Sequence, residues 1–580
     1  MLIKTREHRY TALRTYPRHS EHDVHGGRRG SEVHFRSRAR PVIMRAAPRV
    51  AVGESWVDPR DVAGITRGVG PKALTLTVHT FPAKRALWRR RRREGGTRVD
   101  REVSFETVVD LIAARDRLVG ECFPANSLWL DPANDAAKVM VVVNPAAGNG
   151  GGKRVYERDV EPVLRCALGE MDGHRSASRR LDVVVTESRG DAHAAASRLD
   201  LDAYAAVVCV GGDGTLAEVR NGLAGRADKR DAARAAALPV GVVPAGSGNA
   251  VAKSLAFFAN EPCDAASAAL AVARGGTMAM DAADVFVPSG SSGSSEAFDP
   301  LDPLDRDAED EHPRNIAMRS LLSLSWGLFA DIDVESERFR WLGGARFTAQ
   351  AIVRILFPRK YRGAKLRFKP LEDVDVVDAK TSANTKKTDD SSSVVAAARR
   401  AAARGSGSEV SVPVTDDPHL AKHGWKELRE DLRGDIRGVW ALNVPWGAED
   451  MHAAPAAEPS DGAYDVLVIR GTSRLAMLGL LLTFDAGGHV DHPAVTYLKC
   501  SAFELTPGRS DGNGGGYVAV DGELVAAARD ELARESEKKT DHPPGSPATW
   551  RVPYGPTRVR VRAGGARVFA AGGAAAAEAA

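Results

Sequence analysis

The residues that point most directly to chemistry are Gly211-Gly212-Asp213-Gly214-Thr215, directly after the apolar run Ala205–Val210. The pattern predicts a buried strand, a glycine turn and then a helix from Leu216 to Leu223. Backbone N–H groups in such a turn, at the start of a helix, bind phosphate. A loop that only cradled phosphate would favour amides and cations over an acid. Asp213 is therefore expected to hold Mg²⁺, to take a proton from an attacking hydroxyl, or both. Two further loops flank it. Val139–Val143 runs into Asn144-Pro145-Ala146-Ala147-Gly148-Asn149-Gly150-Gly151-Gly152-Lys153, and Leu238–Val243 runs into Pro244-Ala245-Gly246-Ser247-Gly248-Asn249. Three strand ends carrying glycine loops converge at one edge of a parallel sheet, where α/β folds bind ligands. Neither a Walker A pattern nor a dinucleotide G-x-G-x-x-G follows these strands.

The elements that must position these loops divide the chain. Residues 1–50 are rich in Arg and His and read as a disordered extension; organellar targeting by them is not favoured, because Glu7, Glu21, Asp23 and Glu32 interrupt the basic run. Residues 51–135 form a small, β-rich module. In it Ala73–Thr80 alternates like a strand, Phe105–Leu118 has helical spacing, and Arg89–Arg93 is a basic loop, either a site for anionic lipid or a solvated or nuclear-import run. Residues 138–285 alternate strand and helix. Residues 288–313 and 373–420 are polar and read as disordered insertions. Residues 314–570 carry short apolar runs without long helices, which predicts an antiparallel β domain, and 571–580 is an Ala/Gly tail. The 580 residues suffice for two domains. A net charge of +4 gives no strong global field, and no nucleic-acid partner is expected. Five cysteines without C-x-x-C spacing argue for a reducing compartment and against zinc. The longest apolar runs, such as Leu475–Phe484, are too short to span a bilayer.

The chain resembles the lipid kinases of the diacylglycerol kinase catalytic-domain superfamily and, within them, the sphingosine or plant-type long-chain base kinases. The superfamily likeness rests on Asn144-Pro145, Gly211–Thr215 and Pro244–Asn249. The narrower likeness rests on Ser325-Trp326-Gly327-Leu328-Phe329-Ala330-Asp331-Ile332-Asp333-Val334-Glu335-Ser336-Glu337 and Phe339–Thr348. Lys360-Tyr361-Arg362-Gly363 and Tyr517–Leu524 support it. It covers about 138–285, 314–372 and 430–530. It implies a Rossmann-like α/β nucleotide domain followed by a mainly antiparallel β-sandwich lipid-binding domain, with an ATP site in the cleft between them.

The resemblance also implies roles. Asn144, Pro145 and Gly148, then Thr186, then Gly211, Gly212, Gly214 and Thr215, and Gly246, Ser247 and Gly248 surround the nucleotide. Asn149 stands where such families often carry a basic residue, and Lys153 is the nearest cation. Arg340 and Arg346 match arginines on the ATP phosphates, a task suited to planar, permanently charged forks, and a turn at Gly343-Gly344 is needed to aim both. Asp213 is expected to be the general base. Asp521, in a strand–Asp-Gly-Glu turn with Gly522 and Glu523, matches a position near Mg²⁺ and the triphosphate.

Asp333 matches the residue that recognises a sphingoid headgroup, whose buried ammonium needs a carboxylate. Asp331 is expected to share in binding the substrate headgroup if the stretch is extended, and Ser323 matches a polar headgroup contact. Leu321, Leu322, Phe329, Ile352, Leu356, Leu478, Leu482 and Phe484 are candidates for an apolar tunnel for the tail. Phe347–Phe357 has helical spacing, and is either a lid that dips into a membrane or a helix packed inward. The expected activity is phosphorylation of sphingosine, sphinganine or phytosphingosine with ATP and Mg²⁺ by a cytoplasmic protein peripheral to membranes. The alternatives are a ceramide or diacylglycerol kinase, and a catalytically silent membrane-binding protein.

Overall fold

The computed structural model describes residues 49–83, 98–168, 181–287, 316–371, 414–428, 435–510, 516–527 and 552–570, less 54, 68–71, 125–126, 131–136, 227–228, 343–344, 416–419, 421–422 and 554. Nearly all of residues 1–50, the basic run Arg89–Arg93, most of both polar insertions and the Ala/Gly tail lie outside the described residues.

Four β-branched runs form parallel strands in the order Leu181–Val185, Lys138–Val143, Tyr204–Gly211, Val240–Pro244. The inner strands are buried along almost their whole length, as a sheet covered on both faces requires. Helices Asp191–Ser197, Asp213–Ala224, Ala250–Phe258 and Ala265–Arg274 follow or flank these strands. The sheet does not stop at Val240–Pro244. Val568 of the last strand, Thr557–Phe569, pairs parallel with Val240, and that long strand then runs antiparallel to Thr277–Phe286. Thr277–Phe286 thereby also belongs to the antiparallel layer, pairing with Ile316–Ser320 as well.

The antiparallel layer is built from Ile316–Ser320, Ser323–Gly327, Lys365–Pro370, Ile436–Leu442, Tyr464–Arg470, Val495–Thr506, Tyr517–Val520, Glu523–Ala527 and Thr557–Phe569. Thr557–Phe569 is one long strand that passes through Gly564 and Gly565. Its core contains Trp326, Tyr361, Tyr464, Phe503 and a set of valines, all buried. Among the described residues three α-helices interrupt the layer. They are Leu328–Ser336, Ala345–Leu356 and Arg474–Leu481. Upstream, Val62–Arg67, Thr75–Thr80 and Val99–Ser104 make a three-stranded antiparallel sheet packed on helix Val108–Cys122, with its own buried cluster around Ile65, Leu76, Val78 and Leu111.

Candidate active site

The loops at the carboxyl ends of the parallel strands meet because their glycines allow it. A Cβ on Gly246 would lie 2.5 Å from the Gly212 Cα, so the second and third glycine loops touch backbone to backbone. Ala245 N and Gly246 N both donate to Gly211 O, at 2.9 and 3.1 Å. Gly148 has φ +60°, and a Cβ there would sit 2.8 Å from Ala245 O, so the first loop leans on the third. Asn144 ties the first loop to the second, its Nδ2 donating to Thr215 Oγ1 at 3.1 Å and its Oδ1 accepting from Ala146 N at 3.0 Å. Thr186 joins from the edge strand, its N–H donating to Val143 O at 2.9 Å.

Together with the antiparallel layer these loops wall a cavity of about 850 Å³. Its polar end is lined by Asn144, Pro145, Gly148, Thr186, Gly212, Asp213, Gly214, Thr215, Gly246, Ser247, Gly248, Ser323, Asp333, Arg346, Asp521, Gly522 and Glu523. Most of the residues singled out in the sequence are therefore brought together. Gly211 does not line the cavity. It is buried against Thr215, whose Oγ1 would lie 2.5 Å from a Gly211 Cβ. Arg340 lies in the 3-10 turn Glu337–Leu342, but its side chain, like Gly343 and Gly344, lies outside the described residues.

Three aspartates converge at the polar end and differ in surroundings. Asp213 begins the helix Asp213–Ala224, and its oxygens accept from Ala250 N (2.8 Å) and Val251 N (3.1 Å) at the start of helix Ala250–Phe258. Gly248 leaves room for it, since a Cβ there would come 3.1 Å from Asp213 Oδ2. Burial pushes the Asp213 carboxyl above its ordinary value, the two amides pull it back, and nearby Asp521 raises it further. Asp333, half-buried, is pushed up to about 7 by burial; Arg346 opposes this, and Glu337 and Asp213 add to it.

Asp521 sits in a two-residue hairpin turn with φ +51°, followed by Gly522 at +82°. Its Oδ1 accepts from Ser320 Oγ (2.6 Å), Leu322 N (3.0 Å) and Ser323 N (2.9 Å), and its Oδ2 from Leu321 N (2.9 Å). Asp521 N donates back to Ser323 O at 2.8 Å. Burial raises this carboxyl while those donors lower it. Asp521 is therefore first an anchor for the turn before Ser323, and one lone pair of Oδ2 stays available to a metal. Among the described residues no group of three or more His, Cys, Asp or Glu side chains is arranged to hold an ion.

Arg346 is buried, ion-paired with Glu337 and stacked on Phe347 with its guanidinium 4.5 Å from the ring centre, and its Nε has no hydrogen-bond partner. Several lining residues were missed in the sequence. Arg189 forms an ion pair with Glu523 across the mouth. Glu218, raised by burial, accepts from Gly190 N at 3.1 Å. Neither lies in a glycine loop, and nothing in their spacing marks them.

Asp331 does not reach the cavity. The stretch Leu328–Ser336 is a helix, not extended chain, so residues two apart point to nearly opposite sides. Asp331 is 1% exposed and faces Tyr361 and Arg359. This corrects its expected place beside the headgroup residue.

The apolar end is lined by Leu322, Leu328, Phe329, Ile332, Phe347, Ala351, Ile355, Trp440, Met451, Ile469, Met477, Leu480, Leu481 and Phe484. Phe329 packs on Trp440 (ring centres 4.8 Å apart) and on Phe484 (6.2 Å). Leu321 is core. Ile352, Leu356, Leu478 and Leu482 are exposed on the outer faces of the two helices, because the helical phase turns Ala351, Ile355, Met477 and Leu480 inward instead. A cavity with amides, hydroxyls and carboxylates at one end and an apolar wall at the other suits an amphiphile whose polar end reacts.

Residues 138–285 match the family profile described as the diacylglycerol kinase catalytic domain, and residues 428–533 match the YegS C-terminal NAD kinase beta sandwich-like domain. The chain is 33% identical over 395 residues to sphingosine kinase 1 of Arabidopsis thaliana, covering 68% of this chain and 69% of that one. It is 30% identical over 447 residues to sphingosine kinase 2 of the same plant, covering 75% and 77%. Human ceramide kinase is 26% identical over 361 residues, covering 59% and 57%.

Proposed function

The chain belongs to the sphingosine kinase family of lipid kinases, and from that premise we propose that it transfers the γ-phosphate of ATP to the primary hydroxyl of a sphingoid base. The observation that carries the substrate class is Asp333. It is a carboxylate held half-buried where the glycine-loop end of the cavity meets the apolar end, within electrostatic reach of Asp213. A protonated amine two carbons from the reacting hydroxyl pairs with Asp333 and places that hydroxyl by Asp213. Ceramide and diacylglycerol lack the cation and would leave the carboxylate unpaired, at a cost of about 1–3 kcal/mol.

The three glycine loops, Thr186 and Thr215 offer backbone amides and short hydroxyls to the triphosphate. Arg346, with Arg340, supplies the charge that the first loop lacks. Glu337 pairs with the Arg346 guanidinium, and a phosphate would compete with it for that cation. Asp213 takes the proton of the lipid hydroxyl as its oxygen bonds to the γ-phosphorus and ADP departs. A carboxyl raised by burial is the better base for that task. Asp213 is fixed by two backbone amides, so its lone pairs are aimed before substrate arrives. Magnesium would be held on the protein side by Asp521, through the remaining lone pair of its Oδ2. Such an ion neutralises charge on the phosphoryl oxygens. Ser323, oriented by Asp521, presents its hydroxyl to the headgroup. The apolar end takes the tail.

The test is phosphate transfer from γ-labelled ATP to sphinganine, phytosphingosine, ceramide and diacylglycerol in mixed micelles, with Asp213→Asn as control. Label on the amine-bearing bases alone is expected. Label on ceramide or diacylglycerol would keep the mechanism and overturn the substrate class. No label on any lipid would favour the silent membrane-binding alternative.

A further inference from the structure

The helix Leu328–Ser336 has two chemically different sides. One presents Asp333 to the cavity. The other carries Asp331 and Glu335, four residues apart and so on one face. Both meet cations from a neighbouring segment. Arg359 Nη1 lies 3.3 Å from Asp331 Oδ2, and its Nη2 lies 2.8 Å from Glu335 Oε1. Tyr361 Oη donates to the same Asp331 oxygen. Glu335 also accepts from Arg354 Nε (2.7 Å) and Gln350 Nε2 (2.6 Å), both on helix Ala345–Leu356. The backbone of Arg359 is held in turn, its carbonyl accepting from Arg437 Nη1 at 2.6 Å.

None of Asp331, Glu335, Arg354 or Arg359 lines the cavity, and phosphoryl transfer uses none of them. A buried ion cluster adds little net stability over an apolar replacement, because desolvation offsets the attraction. What it does supply is register. Two carboxylates against two guanidinium groups make a neutral set whose ion pairs form in one arrangement of the helix. The cluster joins the helix bearing Asp333 to helix Ala345–Leu356, whose other face gives Phe347, Ala351 and Ile355 to the tail wall. Headgroup carboxylate and tail wall are thereby locked to each other.

We propose that Arg359 is a positioning residue for the lipid substrate. By bridging Asp331 and Glu335 it sets the rotation of their helix, and so where Asp333 meets the substrate ammonium. The inference rests on the reading of Asp333 given above. Arg359 is suited to the task because a planar fork can engage two carboxylates at once, whereas a lysine ammonium is a single point charge on a flexible stem. A displacement of about 1 Å at a positioned group costs on the order of a hundredfold in rate, so a small rotation is enough to be measured.

The experiment compares wild type, Arg359→Lys and Arg359→Met by initial rates against sphinganine and against ATP, per mole of enzyme that binds ATP. Arg359→Lys keeps the charge and the fold. It is expected to raise KM for sphinganine on the order of tenfold while KM for ATP stays within about twofold. Arg359→Met is expected to raise the lipid KM further; if it fails to fold, the lysine variant decides. A wild-type lipid KM in Arg359→Lys would overturn the proposal. So would a proportional rise in both KM values, or a loss only in the fraction that binds ATP, since each marks a merely structural part. Wild-type label on ceramide in place of sphinganine would overturn the amine reading alone, and the Arg359→Lys comparison would then be read on ceramide. No label from wild type on any lipid would sink both.

Discussion

Asp213 and Asp333 are the same side chain asked to do opposite things. In the proposed reaction one accepts a proton and the other stays charged beside a cation. Asp213→Asn keeps one acceptor for the Ala250 and Val251 amides and loses the other, so a stability loss of about 1–2 kcal/mol is expected. The larger effect falls on turnover, which should drop by 10²-fold or more, while ATP affinity measured by calorimetry changes little. Comparable turnover in the variant would remove Asp213 from the reaction. Asp333 carries a pH signature. Its carboxyl is pushed up to about 7, so in the free enzyme it is protonated below that pH and cannot pair with an ammonium. KM for sphinganine should therefore climb as pH falls from 8 through 7 to 6, with KM for ATP nearly flat. The sign for folding is the reverse. A carboxyl raised in the native state binds its proton more tightly there than in the unfolded chain, where it titrates near about 3.9, so its contribution to stability is present at low pH and is lost as pH rises through about 7. Asp333→Asn should abolish the pH slope of the lipid KM; a slope that survives belongs to another group.

At the scale of elements, the site exists because two glycine loops can touch. Gly246→Ala puts a methyl 2.5 Å from the Gly212 Cα, and both are backbone in short turns, so the loops must part. A destabilisation of about 1–3 kcal/mol and a loss of ATP binding are expected together, read by thermal melting and calorimetry. Ser247→Ala, beside it, should melt like wild type. The convergence was legible in advance because β-branched runs ending in glycine, repeated three times, leave one sheet edge where they can meet. The headgroup helix was less legible. Ala330-Asp331-Ile332-Asp333-Val334-Glu335 alternates polar and apolar as a strand would, so periodicity favoured extended chain, and only the packed structure turns Asp331 toward Arg359. Leu478 and Leu482 were assigned to the tunnel wrongly for a related reason. Met477-Leu478-Gly479-Leu480-Leu481-Leu482 is apolar on all sides, and such a run does not reveal which face is inward. The Arg189–Glu523 pair joins the α/β segment to the antiparallel layer and has no local signal in either.

At the scale of the whole molecule the question is how the proposed lipid substrate would pass from a membrane into the cavity. Among the described residues no helix is long and apolar enough to cross a bilayer. Instead, two neighbouring helices that wall the apolar end carry large hydrophobic side chains on their outer faces and just past their ends, with Leu475 82%, Leu482 72% and Phe357 71% exposed. Lys360 and Arg362 follow, both exposed. Leucines that face water on the wall of a lipid cavity are costly unless something apolar meets them, and each fully buried leucine contributes about 1.5–3 kcal/mol. If that partner is the bilayer, Leu475→Ser/Leu482→Ser should weaken sedimentation with phosphatidylserine-containing vesicles on the order of tenfold or more. It should slow phosphorylation of vesicle-embedded sphinganine to a similar degree. Because neither side chain lines the cavity, turnover of a short-chain, water-soluble base should be unchanged in the same preparation. Added salt should weaken wild-type binding to anionic vesicles and leave the residual apolar part, since Lys360 and Arg362 act through a screened field. Equal losses on vesicle-bound and soluble substrate would instead mean that these leucines support the fold of the cavity wall, and that the lipid enters elsewhere.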